Sequence, residues 1–88
     1  MPSRTVSVAS RVGLHARPAS LFVRAVTATG LPVTIAKGGG DPVDARSIVL
    51  VMSLAVGNRD EVTLAADGDG AEAALDHLVE LLEVDHDA

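Results

Sequence analysis

The sequence predicts an α+β fold in which a small sheet carries helices packed on one face. Three observations predict it. Apolar and polar residues alternate in short stretches around Val6, Ile35 and Val62, the two-residue period of half-buried strands. Two longer stretches repeat their apolar residues every three to four positions, as amphipathic helices do. The two kinds of stretch follow one another within 88 residues, enough for a single domain over 1–88 built on one layer of core.

Thr5-Val6-Ser7-Val8-Ala9 alternates and reads as the first strand. The segment from Ser10 to Pro18 holds a Gly, and its Pro suits the first turn of a helix running to about Thr29. Leu21, Phe22, Ala25 and Val26 share one face of that helix, with Ser20, Arg24 and Thr27 facing elsewhere, and Gly30 is its stop. Val33 and Ile35 alternate with Thr34 and Ala36 in a second strand, and Gly38-Gly39-Gly40-Asp41 reads as a hairpin turn. Pro42 lacks an N–H, so a strand through Val43 is expected to be short and at a sheet edge. Ile48 to Val56 is consistent with a buried strand or a short helix; Ser47 would cap the helix and Gly57 would end it. As a helix this run is apolar on every side, which leaves part of it exposed. Ile48, Val51 and Met52 are expected to be at least partly core.

Glu61 to Ala66 alternates again as a strand, and Asp67-Gly68-Asp69-Gly70 is a loop. Asp69 with Glu72 three residues on resembles a capping box. Ala71, Ala74, Leu75, Leu78, Val79 and Leu82 mark the clearest helical stripe in the chain, and 85–88 is expected to fray. With the short helix at 48–56, the order is βαββαβα.

Composition excludes several classes of function. There is no Cys, so disulfides, thiol catalysis, thiolate zinc and iron–sulfur clusters are absent, and a Cys-free domain of this size suits a cytoplasmic location. Phe22 is the sole aromatic residue, which leaves nothing on which single-stranded nucleic acid would stack its bases. The net charge of −5 divides unevenly: residues 1–59 carry all seven Lys and Arg, while residues 60–88 carry ten of the twelve carboxylates. A basic patch in the first half is suited to one phosphate or an acidic partner; the acidic half reads as a solvated helix face. The N-terminus lacks a signal-peptide stretch, and the longest apolar run, Ile48 to Met52, is far too short to span a membrane. Asp67 to Glu72 lacks the residues of a calcium loop, and Gly38-Gly39-Gly40 lacks the Lys-Ser/Thr ending of a P-loop. His77 and His86 are assigned to no metal, and neither metal nor organic cofactor is expected.

The chemistry concentrates in Gly13-Leu14-His15-Ala16-Arg17-Pro18-Ala19. Pro18 helps place a helix start close to His15, where unpaired backbone N–H groups and the helix dipole form a cradle for phosphate. The Ala16 and Arg17 N–H groups would line it, and the Arg17 guanidinium adds a permanent forked donor. A neutral imidazole is a nucleophile. The pattern points to reversible phosphorylation of His15; the plainer reading is a surface His beside a helix cap. No Asp or Glu precedes Asp41, so the local sequence offers no base to activate water, which favours a carrier over a hydrolase.

This motif resembles the active-site motif of the HPr family, the histidine-containing phosphocarriers of the phosphoenolpyruvate-dependent sugar phosphotransferase system. The likeness runs through Phe22-Val23, Ser47-Ile48, Met52-Ser53-Leu54 and the strand and helix from Asp60 to Glu83. It implies an open-faced β-sandwich whose antiparallel sheet has the order 1-4-2-3, with three helices on one side. It implies a carrier, not an enzyme, in which the Nδ1 atom of His15 takes a phosphoryl group from enzyme I and passes it to the A component of a sugar permease. Arg17 would contact the phosphate. Ser20, Arg24, Ile48, Val49 and Met52 would form the partner surface. The resemblance implies contact with membrane transporters only through such partners, and regulatory proteins as further partners; a monomer is the simplest expectation for a carrier that must free one face for successive partners. Ser47 matches a regulatory phosphoserine of some relatives, although N-capping alone accounts for a Ser there. Leu50 and Val49 depart from the Gly and Met common in those relatives, and the Gly38 hairpin is one residue longer. Two other readings stay open: a paralogous relay of the nitrogen-regulatory or dihydroxyacetone-kinase type, and a regulatory binding module without phosphotransfer.

Overall fold

In the computed structural model, which describes residues 1–85, the chain runs through β1 (Ser3–Ser7), α1 (Ala16–Thr29), β2 (Thr34–Lys37), β3 (Val43–Asp44), α2 (Ile48–Ser53), β4 (Glu61–Ala65) and α3 (Ala71–Leu82). The order is the expected βαββαβα. The strands form one antiparallel sheet in the order β1-β4-β2-β3, with the three helices on one side.

The alternation in the strands decides which face the helices cover. Val6 pairs with Val62, and Leu64 with Ile35; all four are buried beneath the helices. Their neighbours point to the opposite face, where the Thr5 and Thr63 hydroxyls lie 3.2 Å apart. Against the apolar face, α1 buries Pro18, Ala19, Phe22 and Val26, and α3 buries Ala71, Leu75, Leu78 and Leu82. Phe22 is wholly excluded from solvent, and burial of such a side chain is worth about 3 kcal/mol. Leu21 and Ala25, expected on the same face, are half-buried at its margins. At the sheet edge Arg4 reaches α3 and donates to Asp76 at 2.9 Å.

The turns supply most of the agreement and most of the corrections. Gly30 ends α1 with φ +70, its N–H donating to Thr27 O. β3, next to Pro42, is a two-residue edge strand. β1 spans Ser3–Ser7, not Thr5–Ala9, although Val6 and Val8 are both buried as the alternation requires. Beyond Ser7 the ladder gives way to irregular pairing. The Val8 N–H donates to Asp60 O, the Ala9 N–H turns to Leu82 O, and Arg59, at φ +68, donates to Val8 O.

Residues 48–53 are helical, but Gly57 is not the stop. The chain leaves α2 at Leu54, and Ala55 takes the left-handed conformation at φ +54. Asp69 does not cap α3. Gly70 occupies the cap position at φ +81, and the Ala71 N–H donates to Gly68 O, so backbone does what the side chain was expected to do. Asp85 is half-buried and pairs with Arg11 at 3.2 Å, and so is held where fraying was expected. The rest of that tail, with His86, lies outside the described residues.

Candidate functional site

At the start of α1, where the sequence leads one to expect a cradle, no side chain caps the helix. His15 is the N-cap residue, extended at φ −129 and ψ 149, and its exposed side chain makes no capping hydrogen bond. The first turn of α1 contains no acidic residue. The first N–H groups of a helix have no partner within it, so those of Ala16 and Arg17 are open to an anion. Ala16 itself sits at φ +43, a conformation that costs an L residue about 1–3 kcal/mol and persists only where its surroundings impose it. They do: Leu14 is buried and its N–H donates to Val56 O at 3.0 Å, while Pro18 and Ala19 are buried on the other side.

Gly13 makes that approach possible. At φ +68 its Cα lies against the turn after α2; a Cβ there would collide with Val56 O and stand 2.7 Å from Gly57 Cα. The two segments enclose an open depression of about 310 Å³, lined by Val12, Leu14, His15, Met52, Ala55, Val56 and Gly57. His15 and Met52, distant in sequence, thus share one concavity. Val12 and residues 55–57 were not singled out from sequence. Gly13 is the glycine that the close approach requires; a Cβ on Gly57 would meet only the Asp60 carboxylate, at 3.3 Å.

Arg17 and Arg24 are exposed, and neither forms an ion pair with another described residue. Arg17, the half-buried Ser20 and Arg24 follow one another along one side of α1 at helical spacing. On α2, Val51 is buried and Met52 packs against the core, but Ile48 is exposed together with Val49 and Leu50. This helix of six residues turns only Val51 fully inward, which corrects the expectation that Ile48 is at least partly core. Val49, at 73% exposure, is the most open of them. Leu50 adds to an apolar surface expected from Ile48, Val49 and Met52 alone.

Ser47 caps α2: its Oγ accepts from the Leu50 N–H at 3.3 Å. Just before it, hydrogen bonds from the Arg46 guanidinium and N–H hold the Asp44 carboxyl below the usual carboxylate range, and Arg46 is pushed up in return. The Asp60 carboxyl is also held down, first by the Gly57 N–H at 2.8 Å and then by the charge of Lys37. His77 is exposed on α3, and the described residues contain no group of three or more metal-ligating side chains. No described helix is long and apolar enough to cross a membrane.

Comparison with known proteins gives the family. The sequence model of the family described as "PTS HPr component phosphorylation site" matches residues 2–84. Phosphocarrier protein HPr of Streptomyces coelicolor is 55% identical over 82 residues, covering 93% of this chain and 88% of that protein. The chain belongs to the HPr family. It accordingly has a phosphocarrier role in the phosphotransferase system. The fold agrees as well: an HPr structure from Thermoanaerobacter tengcongensis superposes with a TM-score of 0.87 at 37% identity, covering 94% of this chain and 92% of that one. Another similar structure, at a TM-score of 0.71, 37% identity and 94% coverage of both chains, is an HPr dimer from the same organism. The expected monomer is therefore not the one form in which HPr chains are found.

Proposed function

We propose that His15 carries the phosphoryl group, taking it from the phosphohistidine of enzyme I and delivering it to the A component of a sugar permease. In the first step His15 Nδ1 attacks phosphorus. The bond from phosphorus to the donor nitrogen breaks, and that nitrogen keeps the electron pair. The second step repeats the exchange with His15 as the leaving group, so the chain ends unchanged and acts as a carrier, not as a catalyst in its own right.

The observation that carries this reading is the placement of an exposed, uncapped His15 beside the open N–H groups of Ala16 and Arg17, next to an Arg17 with no ion-pair partner among the described residues. Backbone N–H groups and one guanidinium stabilise the phosphoryl oxygens without sequestering them, which suits a group that has to leave again. The residues lining the depression include no carboxylate to activate water, which favours transfer over hydrolysis.

Ser20, Arg24, Ile48, Val49 and Met52 would form the docking surface, apolar on α2 and basic along α1. Both partners would then meet this face in turn, in the cytoplasm. Ser47 serves as the cap of α2 in this reading, with no regulatory phosphorylation needed to account for it. The test is a relay. Phosphorylated protein, freed of enzyme I, is mixed with a purified A component, and movement of the phosphoryl group to the acceptor is followed by mass. Retention of the group on this chain, with the acceptor active toward another carrier, would refute the downstream step.

A further inference from the structure

The turn that forms one wall of the His15 depression is held at three consecutive residues. The Lys37 Nζ donates to Ala55 O at 3.0 Å. Val56 O accepts from the Leu14 N–H, the residue just before His15, at 3.0 Å. The Gly57 N–H donates to the Asp60 carboxylate at 2.8 Å. Lys37 and Asp60 close the arrangement on each other, Nζ to Oδ2 at 3.5 Å. Lys37 is the last residue of β2 and Asp60 immediately precedes β4, its neighbour in the sheet, so both holds are rooted in adjacent inner strands. The restraint answers a local need. Ala55 is left-handed at φ +54 without being glycine, a conformation that persists only where its surroundings impose it.

We propose that Lys37 and Asp60 are positioning residues that clamp the 55–57 turn, so that the Val56 carbonyl fixes the backbone on which His15 is carried. The proposal rests on His15 as the phosphoryl acceptor. Neither side chain touches His15 or its phosphate; they set the wall and the backbone register from which the imidazole reaches its donor. Transfer between two histidines requires the reacting atoms in line, and a displacement of about 1 Å can cost as much as a hundredfold in rate.

The experiment measures single-turnover transfer from phosphorylated enzyme I at increasing donor concentration, for the wild type, Asp60→Ala, Asp60→Asn, Lys37→Met and Lys37→Arg. Melting is recorded for each so that rates are compared where every chain is folded. Amide hydrogen exchange at Leu14 and at Leu64 is followed in parallel. The clamp predicts a transfer rate at saturation reduced about tenfold in Asp60→Ala and Lys37→Met, with half-saturation little changed. It also predicts recovery of most of the rate in Lys37→Arg, an intermediate rate in Asp60→Asn, and faster exchange at Leu14 while Leu64 in the core keeps its protection. Rates at saturation within about twofold of wild type in both Asp60→Ala and Lys37→Met would overturn it. So would losses with uniformly faster exchange and no recovery in Lys37→Arg, which would mark a role in stability alone. If Asp60→Ala does not fold, the half-exposed Lys37 side chain carries the test by itself. A wild-type chain that accepts no phosphoryl group would instead refute the role of His15, which separates the two failures.

Discussion

Substitution of Gly13 by Ala is expected to be far more damaging than the loss of one glycine elsewhere, and the structure indicates by how much. Two costs combine. An L residue at φ +68 pays about 1–2 kcal/mol for the left-handed conformation. The new Cβ also collides with Val56 O and stands 2.7 Å from Gly57 Cα, and relieving such overpacking costs about 1–3 kcal/mol. Pushing the turn away breaks the Leu14 N–H to Val56 O bond, worth about 1 kcal/mol more. The sum is about 4 kcal/mol, against a total stability of roughly 4–13 kcal/mol for a chain of this size.

Gly38→Ala supplies the control. Gly38 is also left-handed, at φ +55, but nothing lies within 4 Å of a Cβ there. It therefore pays the conformational cost alone. The assay is urea unfolding of both variants beside the wild type, with the slope checked for constancy. Gly13→Ala is expected to lie about 3 kcal/mol below Gly38→Ala, with a melting temperature lower by roughly 12–24 °C. A difference of less than about 1 kcal/mol would refute the claim that the 13–57 contact is tight enough to require glycine.

Three further outcomes follow from the same geometry. The Gly57 N–H, and then the charge of Lys37, hold the Asp60 carboxyl below its ordinary value, so its contribution to stability is present above that ordinary value and is lost as pH falls through the folded pKa. The melting temperature of the wild type should therefore exceed that of Asp60→Asn near neutral pH, and the gap should close in acid; a gap independent of pH would contradict the stated cause. Ser47→Ala removes the hydroxyl that accepts from the Leu50 N–H and should cost about 1 kcal/mol in urea unfolding, whereas Ser47→Asp should cost little. Val49→Asp, at the most exposed position of α2, should leave stability within about 0.5 kcal/mol while weakening binding to enzyme I in titration calorimetry.

Much of the fold was legible because period and turn chemistry report local geometry. The stripe from Ala71 to Leu82 and the alternation through Val62 and Leu64 placed the core, and Gly30 and Pro42 behaved as their backbone restrictions require. The errors came where two residues can do the same job. Gly57 reads as a helix stop, yet Ala55 makes the left-handed turn at φ +54. Asp69 was a plausible cap, yet Gly70 takes the position with backbone alone.

The helix start at the candidate site was legible too: Pro18 places it close to His15, and α1 begins at Ala16 with His15 as its N-cap residue. The wall of the site was not. Lys37, Asp60 and Gly57 carry no periodic pattern and meet only because β2 and β4 are neighbours in the sheet. Ile48 shows the reverse limit: an apolar residue in a short helix can lie inside or outside, and only the packing of α2 decides.

The measurement that tests the account most directly is intact mass after incubation with phosphoenolpyruvate and purified enzyme I, for the wild type and His15→Ala. The account predicts one added phosphoryl group on the wild type, lost on brief acid treatment, and none on His15→Ala. An unmodified wild type beside an enzyme I that phosphorylates another carrier, or a His15→Ala variant that still gains the group, would contradict it.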